Sequence, residues 1–179
     1  IDPIIAQATD ILQKASANTG DLTGLPSGFT KLDEITSGWQ KSDLVIIAGR
    51  PAMGKTSFAL SIAKNIAVDH NKPIAFFSLE MNNVQLVNRL ISNTCEISGS
   101  KILSGQLSDE EWKRFDVKVR NLTGTPIYID DTPGLSIFEL RTKARRVVRE
   151  KGVKLIMIDY LQLMNANGIR FGNRQEEVS

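Results

Sequence analysis

A single cysteine, Cys95, stands in the whole chain, so no disulfide can form within it. Nowhere do apolar residues run to the roughly 20 positions that a membrane span requires, and the first residues carry no basic, apolar, small-residue export pattern. A cytoplasmic protein with no membrane association is the expectation. Histidine is as scarce as cysteine, and His70 lies in a polar Asp-His-Asn-Lys turn where surface exposure is the default. Charge of one sign is also missing: the net charge is +2, too near neutral to announce a polyanion partner, so any nucleic-acid contact must come from local basic patches. Internal repeats and low-complexity segments are absent. The opening residue is not methionine, and Arg174-Gln-Glu-Glu-Val-Ser179 reads as a helix just begun, so a fragment is expected. What is present, 179 residues that are 41% hydrophobic and 23% charged, suits one globular domain with a short appendage.

The most specific feature is Gly49-Arg-Pro-Ala-Met-Gly54-Lys55-Thr56, which completes the phosphate-loop pattern G-x-x-x-x-G-K-[ST]. An apolar run at residues 44–48 precedes it and reads as a buried strand; residues 56–68 can form the helix that must follow. In such a loop the glycines let backbone N–H groups close on phosphate oxygens, the lysine reaches the β/γ-phosphates, and the threonine hydroxyl joins a Mg²⁺ shell. The helix N-terminus adds a positive partial charge aimed at the same anion. Gly49, Arg50, Pro51, Ala52, Met53, Gly54, Lys55, Thr56 and Ser57 are therefore the expected nucleotide-binding residues, with ATP and Mg²⁺ as cofactors.

Upstream, Ile4, Ile5, Ala8, Ile11, Leu12 and Ala15 fall at helical spacing and predict a short amphipathic helix. Its apolar stripe must dock either on its own domain or on a neighbouring subunit. A Gly-, Ser-, Thr- and Pro-rich linker is expected from there to about Ser42. Beyond it, apolar runs at 44–48, 74–79, 127–129 and 153–158 alternate with helical patterns, which predicts an α/β fold with a mostly parallel sheet covered by helices. Asn82 with Gln85, Ser108 with Glu111 and Ser136 with Glu139 match capping-box spacing and mark helix starts. The second of these helices carries Trp112, Phe115, Val119 and Leu122 on one face. The third carries Ile137, Leu140, Ala144, Val147 and Val148. Both stripes read as core.

Lys154-Leu-Ile-Met-Ile-Asp159 is an apolar strand ending in a carboxylate, the pattern that holds Mg²⁺ beside a phosphate loop, so Thr56 and Asp159 are the expected metal-site residues. Phe76-Phe-Ser-Leu-Glu80 ends the same way. Glu80 either faces the γ-phosphate and polarises the attacking water, or begins the next helix and interacts with its dipole.

Gly24-Leu-Pro-Ser-Gly-Phe-Thr-Lys-Leu-Asp33, Thr36-Ser-Gly-Trp39, the phosphate loop, Phe77-Ser-Leu-Glu-Met81, Asp130-Asp-Thr-Pro-Gly134 and Ile158-Asp-Tyr-Leu-Gln-Leu163 together closely resemble the DnaB family of bacterial replicative helicases, from about Leu22 to the last residue. Ser-Leu-Glu-Met and Asp-Tyr-Leu-Gln-Leu set the chain apart from RecA recombinases and RadA-type repair ATPases. The resemblance implies a RecA-like P-loop ATPase domain over 21–179, preceded by a linker helix over 1–20. It also implies a homo-hexameric ring, held through linker helix and ATPase domain, that encircles single-stranded DNA and couples ATP hydrolysis to translocation and duplex unwinding. Glu80, Lys55 and Asp159 become the catalytic residues, and the linker helix docks on the adjacent subunit.

Primase and a helicase loader are implied partners of the full-length protein. The segments that carry the family's phosphate-sensing glutamine, arginine finger and main DNA-binding loop lie beyond Ser179, so this chain is expected to bind nucleotide and hydrolyse it feebly. Two basic groups bear on DNA. The helix after Ser136, with Arg141, Lys143, Arg145, Arg146, Arg149 and Lys151, reads as a solvated outer face. Arg170 and Arg174, in a glycine-containing segment after the Asp159 strand, are either phosphate contacts or part of an ordinary surface loop. An assembly or loader-type switch and a small P-loop kinase are the alternatives. Glu80 argues against the first, and the lack of an arginine-rich lid segment against the second.

Overall fold

In the computed structural model, which describes residues 1–17 and 22–164, the chain divides into two compact units, Ile1–Val45 and Ile46–Ser179. The first unit opens with helix α1 (Asp2–Ala17), where Ile4, Ile5 and Leu12 of the apolar stripe are exposed. From Leu22 the segment expected to be a linker is instead an ordered motif. It contains helix α2 (Thr30–Thr36) and an antiparallel bridge in which Leu25 and Trp39 exchange backbone hydrogen bonds of 2.8 Å.

Composition misleads here because the glycines and the short polar side chains act as fasteners. Gly24 lies so near the opposing chain that a Cβ would sit 2.5 Å from the Gly38 carbonyl carbon, so only glycine fits. Asp33, buried on α2, accepts from the Ser27 N–H at 2.7 Å, the Ser27 hydroxyl at 2.7 Å and the Gly28 N–H at 3.1 Å. A seven-residue helix has little stability of its own, and this buried carboxylate ties it to the chain before it. Replacing Asp33 by Ala removes the acceptor and is expected to cost about 2–3 kcal/mol, whereas Asn, which keeps one acceptor oxygen, should cost less. Amide exchange at Ser27 and Gly28 reports this directly, and rates unchanged by Asp33→Ala would refute it.

The second unit holds a three-stranded parallel sheet in the order β2-β1-β3, made of β1 (Ile74–Ser78), β2 (Ile127–Asp130) and β3 (Leu155–Asp159). Before β1 runs α3 (Lys55–Lys64), prolonged by a π turn over Asn65–Asp69, so the helix expected over 56–68 is present. Between β1 and β2 lie α4 (Asn83–Cys95), α5 (Gly99–Ser104) and α6 (Asp109–Leu122). Helix α7 (Ile137–Lys151) joins β2 to β3. Helices α4, α6 and α7 begin at the expected caps: the side chains of Asn82, Ser108 and Ser136 accept from the backbone three residues on, and Gln85, Glu111 and Glu139 reach back.

Residues 44–48 depart from expectation, for they form no strand, and Leu44 and Ile46 are 86% and 78% exposed. Their β-branched, apolar character favours an extended chain, but a strand is a paired state, and no described strand supplies a ladder to them.

β1 is buried along its whole length because it lies between the other two strands and both of its faces are covered. Ala75 and Phe77 pack with Leu79, Leu135, Val153 and Leu140 of α7. Ile74 and Phe76 alternate onto the opposite face and are fully buried, as are Leu60, Ile62 and Ile66 on α3 and its π turn. The α7 stripe is thus core only in part: Leu140 is buried and Ala144 and Val147 are half-buried, but Ile137 and Val148 are exposed. On α6, Phe115, Val119 and Leu122 are half-buried, while Trp112 remains exposed with its ring edge-on to Phe115 at 5.5 Å. These α6 positions form a rim rather than a centre.

Candidate functional site

Parallel strands put their carboxyl ends on one edge of the sheet, the edge where α/β proteins place ligands. Register decides which residues meet there. Ser78 pairs with Asp159 across β1 and β3, and the Leu79 N–H donates to the Asp159 carbonyl at 2.8 Å, so the chain leaving β1 starts beside the end of β3.

The phosphate-loop residues precede α3. Arg50 to Met53 turn tightly, with the Met53 N–H donating to the Arg50 carbonyl at 3.2 Å and Ala52 held at a φ of 63°. Gly54 follows at φ 85° as the residue preceding α3. No atom lies within 4 Å of where its Cβ would be, so backbone conformation rather than space calls for glycine. No side chain caps α3, which leaves its first N–H groups available to an anion. Lys55 and Thr56 are half-buried; Gly49, Arg50, Pro51, Ala52, Met53, Gly54 and Ser57 are exposed.

Across the edge, the Thr56 hydroxyl donates to Asp159 Oδ2 at 2.6 Å, joining residues 103 positions apart. The two expected metal-site side chains therefore converge on one point. A hydroxyl and a carboxylate are hard oxygen donors, and Mg²⁺ is characteristically held by one or two such groups together with substrate phosphates. Among the described residues no group of three or more His, Cys, Asp or Glu could hold a metal by itself. A divalent cation here would be shared with a phosphate.

Carboxylates of Glu80, Asp130 and Asp131 also lie on the segments that leave the sheet at this edge. Asp130 is taken: Lys143 of α7 reaches it at 2.7 Å and the Thr132 N–H at 3.0 Å. Burial pushes its carboxyl up, but the Lys143 and Thr132 hydrogen bonds outweigh that and hold it below its usual range. Asp131 is taken as well, accepting from the Asn83 N–H at the first turn of α4 at 2.9 Å. Glu80 is exposed, and among the described residues its carboxylate bonds to none. It does not begin a helix, because α4 starts only at Asn83 and its capping box is closed by Asn82 and Gln85. Ser78 instead fastens the turn around it, its hydroxyl donating to the Met81 carbonyl at 2.6 Å and accepting from the Met81 N–H at 3.2 Å.

Of the basic helix face, Arg141, Arg145, Arg146, Arg149 and Lys151 are exposed as expected, and Lys143 is the exception turned to Asp130. Arg170 and Arg174 lie outside the described residues. One contact was missed by sequence reasoning, although Tyr160 lies within the Asp-Tyr-Leu-Gln-Leu motif: its ring lies under the Lys55 ammonium, 5.0 Å from Nζ to the centroid.

A family model described as the DnaB-like helicase C terminal domain matches residues 24–179. The chain is 43% identical over its full length to the replicative DNA helicase DnaC of Bacillus subtilis (strain 168), of which it covers 39%. It is 44% identical, again over its full length and 39% of the relative, to the replicative DNA helicase DnaB of Geobacillus stearothermophilus. It thus spans about two fifths of the length of these relatives. Among solved structures, an ATPase domain superposes with a TM-score of 0.85 at 33% identity, covering 97% of this chain and 62% of that one. A DnaB-like replicative helicase, solved in a study of its interactions with primase, gives 0.83 at 33% identity over 99% and 42%.

Proposed function

The chain belongs to the DnaB-like helicase C-terminal domain family and has its RecA-like ATPase fold, and from that premise we propose that it is the ATP-hydrolysing motor domain of a replicative DNA helicase. The observation that carries this reading is the 2.6 Å bond between Thr56 and Asp159, which brings the phosphate-loop threonine to the carboxylate that ends β3, 103 positions on.

In the proposed cycle the N–H groups of the loop and of the first turn of α3 bind the phosphates, and Lys55 neutralises charge on the β/γ groups. Thr56 and Asp159 would hold Mg²⁺, which would supply positive charge to the phosphoryl oxygens. Glu80 accepts the proton of the attacking water. Its support is that it alone of the edge carboxylates makes no bond to another described residue. Residues 1–20 serve as the linker helix and 21–179 as the ATPase domain. Docking of the exposed stripe of α1 on an adjacent subunit would assemble a hexamer around single-stranded DNA, with Arg170 and Arg174 as sequence-independent phosphate contacts. Primase and a loader are the proposed partners of the longer protein, which would act in the cytoplasm. On its own the 179-residue chain is expected to bind nucleotide and turn it over slowly.

The deciding measurement is ATP turnover by this chain, extended to the length of its relatives, with and without single-stranded DNA. Stimulation by DNA of about tenfold or more is expected, the size of coupling that a ligand at one site typically exerts on another. Turnover indifferent to DNA would point to an assembly switch, and turnover that needs a small phosphate acceptor would point to a kinase.

A further inference from the structure

We propose that Tyr160 is a positioning residue for the phosphate-loop lysine, its ring face holding the Lys55 ammonium in the loop so that the cation is already placed where an anion binds. The proposal rests on the nucleotide reading given above. Its basis is a pair of adjacent rungs between two segments: Thr56 bonds Asp159 at 2.6 Å, and the residue before Thr56 meets the residue after Asp159, Lys55 Nζ lying 5.0 Å from the Tyr160 ring centroid. That separation is within the roughly 6 Å over which a ring quadrupole attracts an ammonium.

The lysine stem is guided as well, since a Cβ on Gly49 would lie 3.4 Å from Lys55 Cγ and 3.9 Å from Cδ. Gly49 thus flanks the stem and Tyr160 the head. Both Lys55 and Tyr160 are half-buried, which weakens competition from water. Tyr160 is itself secured by the turn that follows, where the Leu163 N–H donates to its carbonyl at 3.1 Å. A lysine side chain has much rotamer freedom to lose on binding, and a contact that restricts it beforehand lowers the ordering cost charged to the ligand.

The interaction belongs to the ring and not to the hydroxyl, which makes the test specific. Tyr160→Phe should bind ATP within about twofold of the parent, while Tyr160→Leu should weaken binding about three- to fivefold. Mono-, di- and trifluorophenylalanine placed at 160 withdraw charge from the ring face with little change in volume, so log Kd for a fluorescent ATP analogue should rise steadily along the series. A purely packing role would leave the series flat, and a flat series overturns the proposal. Proton NMR supplies a readout that needs no nucleotide: the Lys55 ε-methylene protons should be shifted upfield by the ring and lose that shift in Tyr160→Leu. Absence of the shift also overturns the proposal. If the shift is present but the unsubstituted protein binds no ATP, the nucleotide reading fails, and the role of the ring with it, while the contact itself stands.

Discussion

Glu80→Gln is expected to lower ATP turnover about 10²- to 10⁴-fold while leaving nucleotide affinity within about threefold. The substitution keeps the shape of the side chain and removes its ability to accept a proton. Little else should change. Glu80 is exposed and takes no part in the capping box of α4, which Asn82 and Gln85 close without it. Its turn is fastened by Ser78 and Met81, so stability should move by less than about 0.5 kcal/mol. The contrary role, a carboxylate that steadies the helix dipole, predicts the reverse pattern, a change in melting temperature with turnover intact. Steady-state turnover and equilibrium binding measured together on the length-extended protein separate the two. Turnover within about threefold of the parent would remove Glu80 from the chemistry, because a lost general base costs far more than that.

Lys55→Ala should weaken ATP binding about 100-fold, which corresponds to about 2.7 kcal/mol. The estimate follows from the charge-assisted bonds an ammonium makes to phosphate oxygens in a half-buried setting. Because such a lysine reaches the β- and γ-phosphates, the loss should be large for ATP and small for AMP. Lys55→Arg should recover little, since a bulkier planar fork does not replace a compact point charge on a flexible four-carbon stem. Titration of a fluorescent nucleotide, displaced by ATP, ADP or AMP, reads each case. An equal loss for ATP and AMP would mean that the substitution disturbs the loop as a whole, and the assignment of Lys55 to the outer phosphates would fall.

Which parts of this architecture are written in short stretches of sequence follows from the range of the interactions involved. A capping box closes over three residues, so Asn82, Ser108 and Ser136 could be recognised without a fold, and each heads the helix expected of it. The phosphate loop is equally local. Residues 44–48 mark the limit of such reasoning: their pattern says strand, yet pairing requires a neighbour that the pattern cannot name, and the segment is unpaired and largely exposed. The motif after Leu22 errs in the other direction. Its small polar residues look like linker until Asp33 is seen gathering hydrogen bonds from Ser27 and Gly28.

By itself the sequence determined the family, the phosphate loop with its helix, and two strand-end carboxylates, Glu80 and Asp159, as candidates for the site. The loop and the strand ends rest on residues close together in the chain, where backbone geometry fixes the spacing, and the family rests on the order of several such short motifs. Only the tertiary structure decided which partners the carboxylates at the sheet edge take. Packing of helices and strands brings Asp159 to Thr56 across 103 positions, places Lys143 on Asp130 and the Asn83 N–H on Asp131, and sets Tyr160 under Lys55. Such contacts depend on which strands pair and which helix crosses between them, and those choices are made by burial over the whole domain.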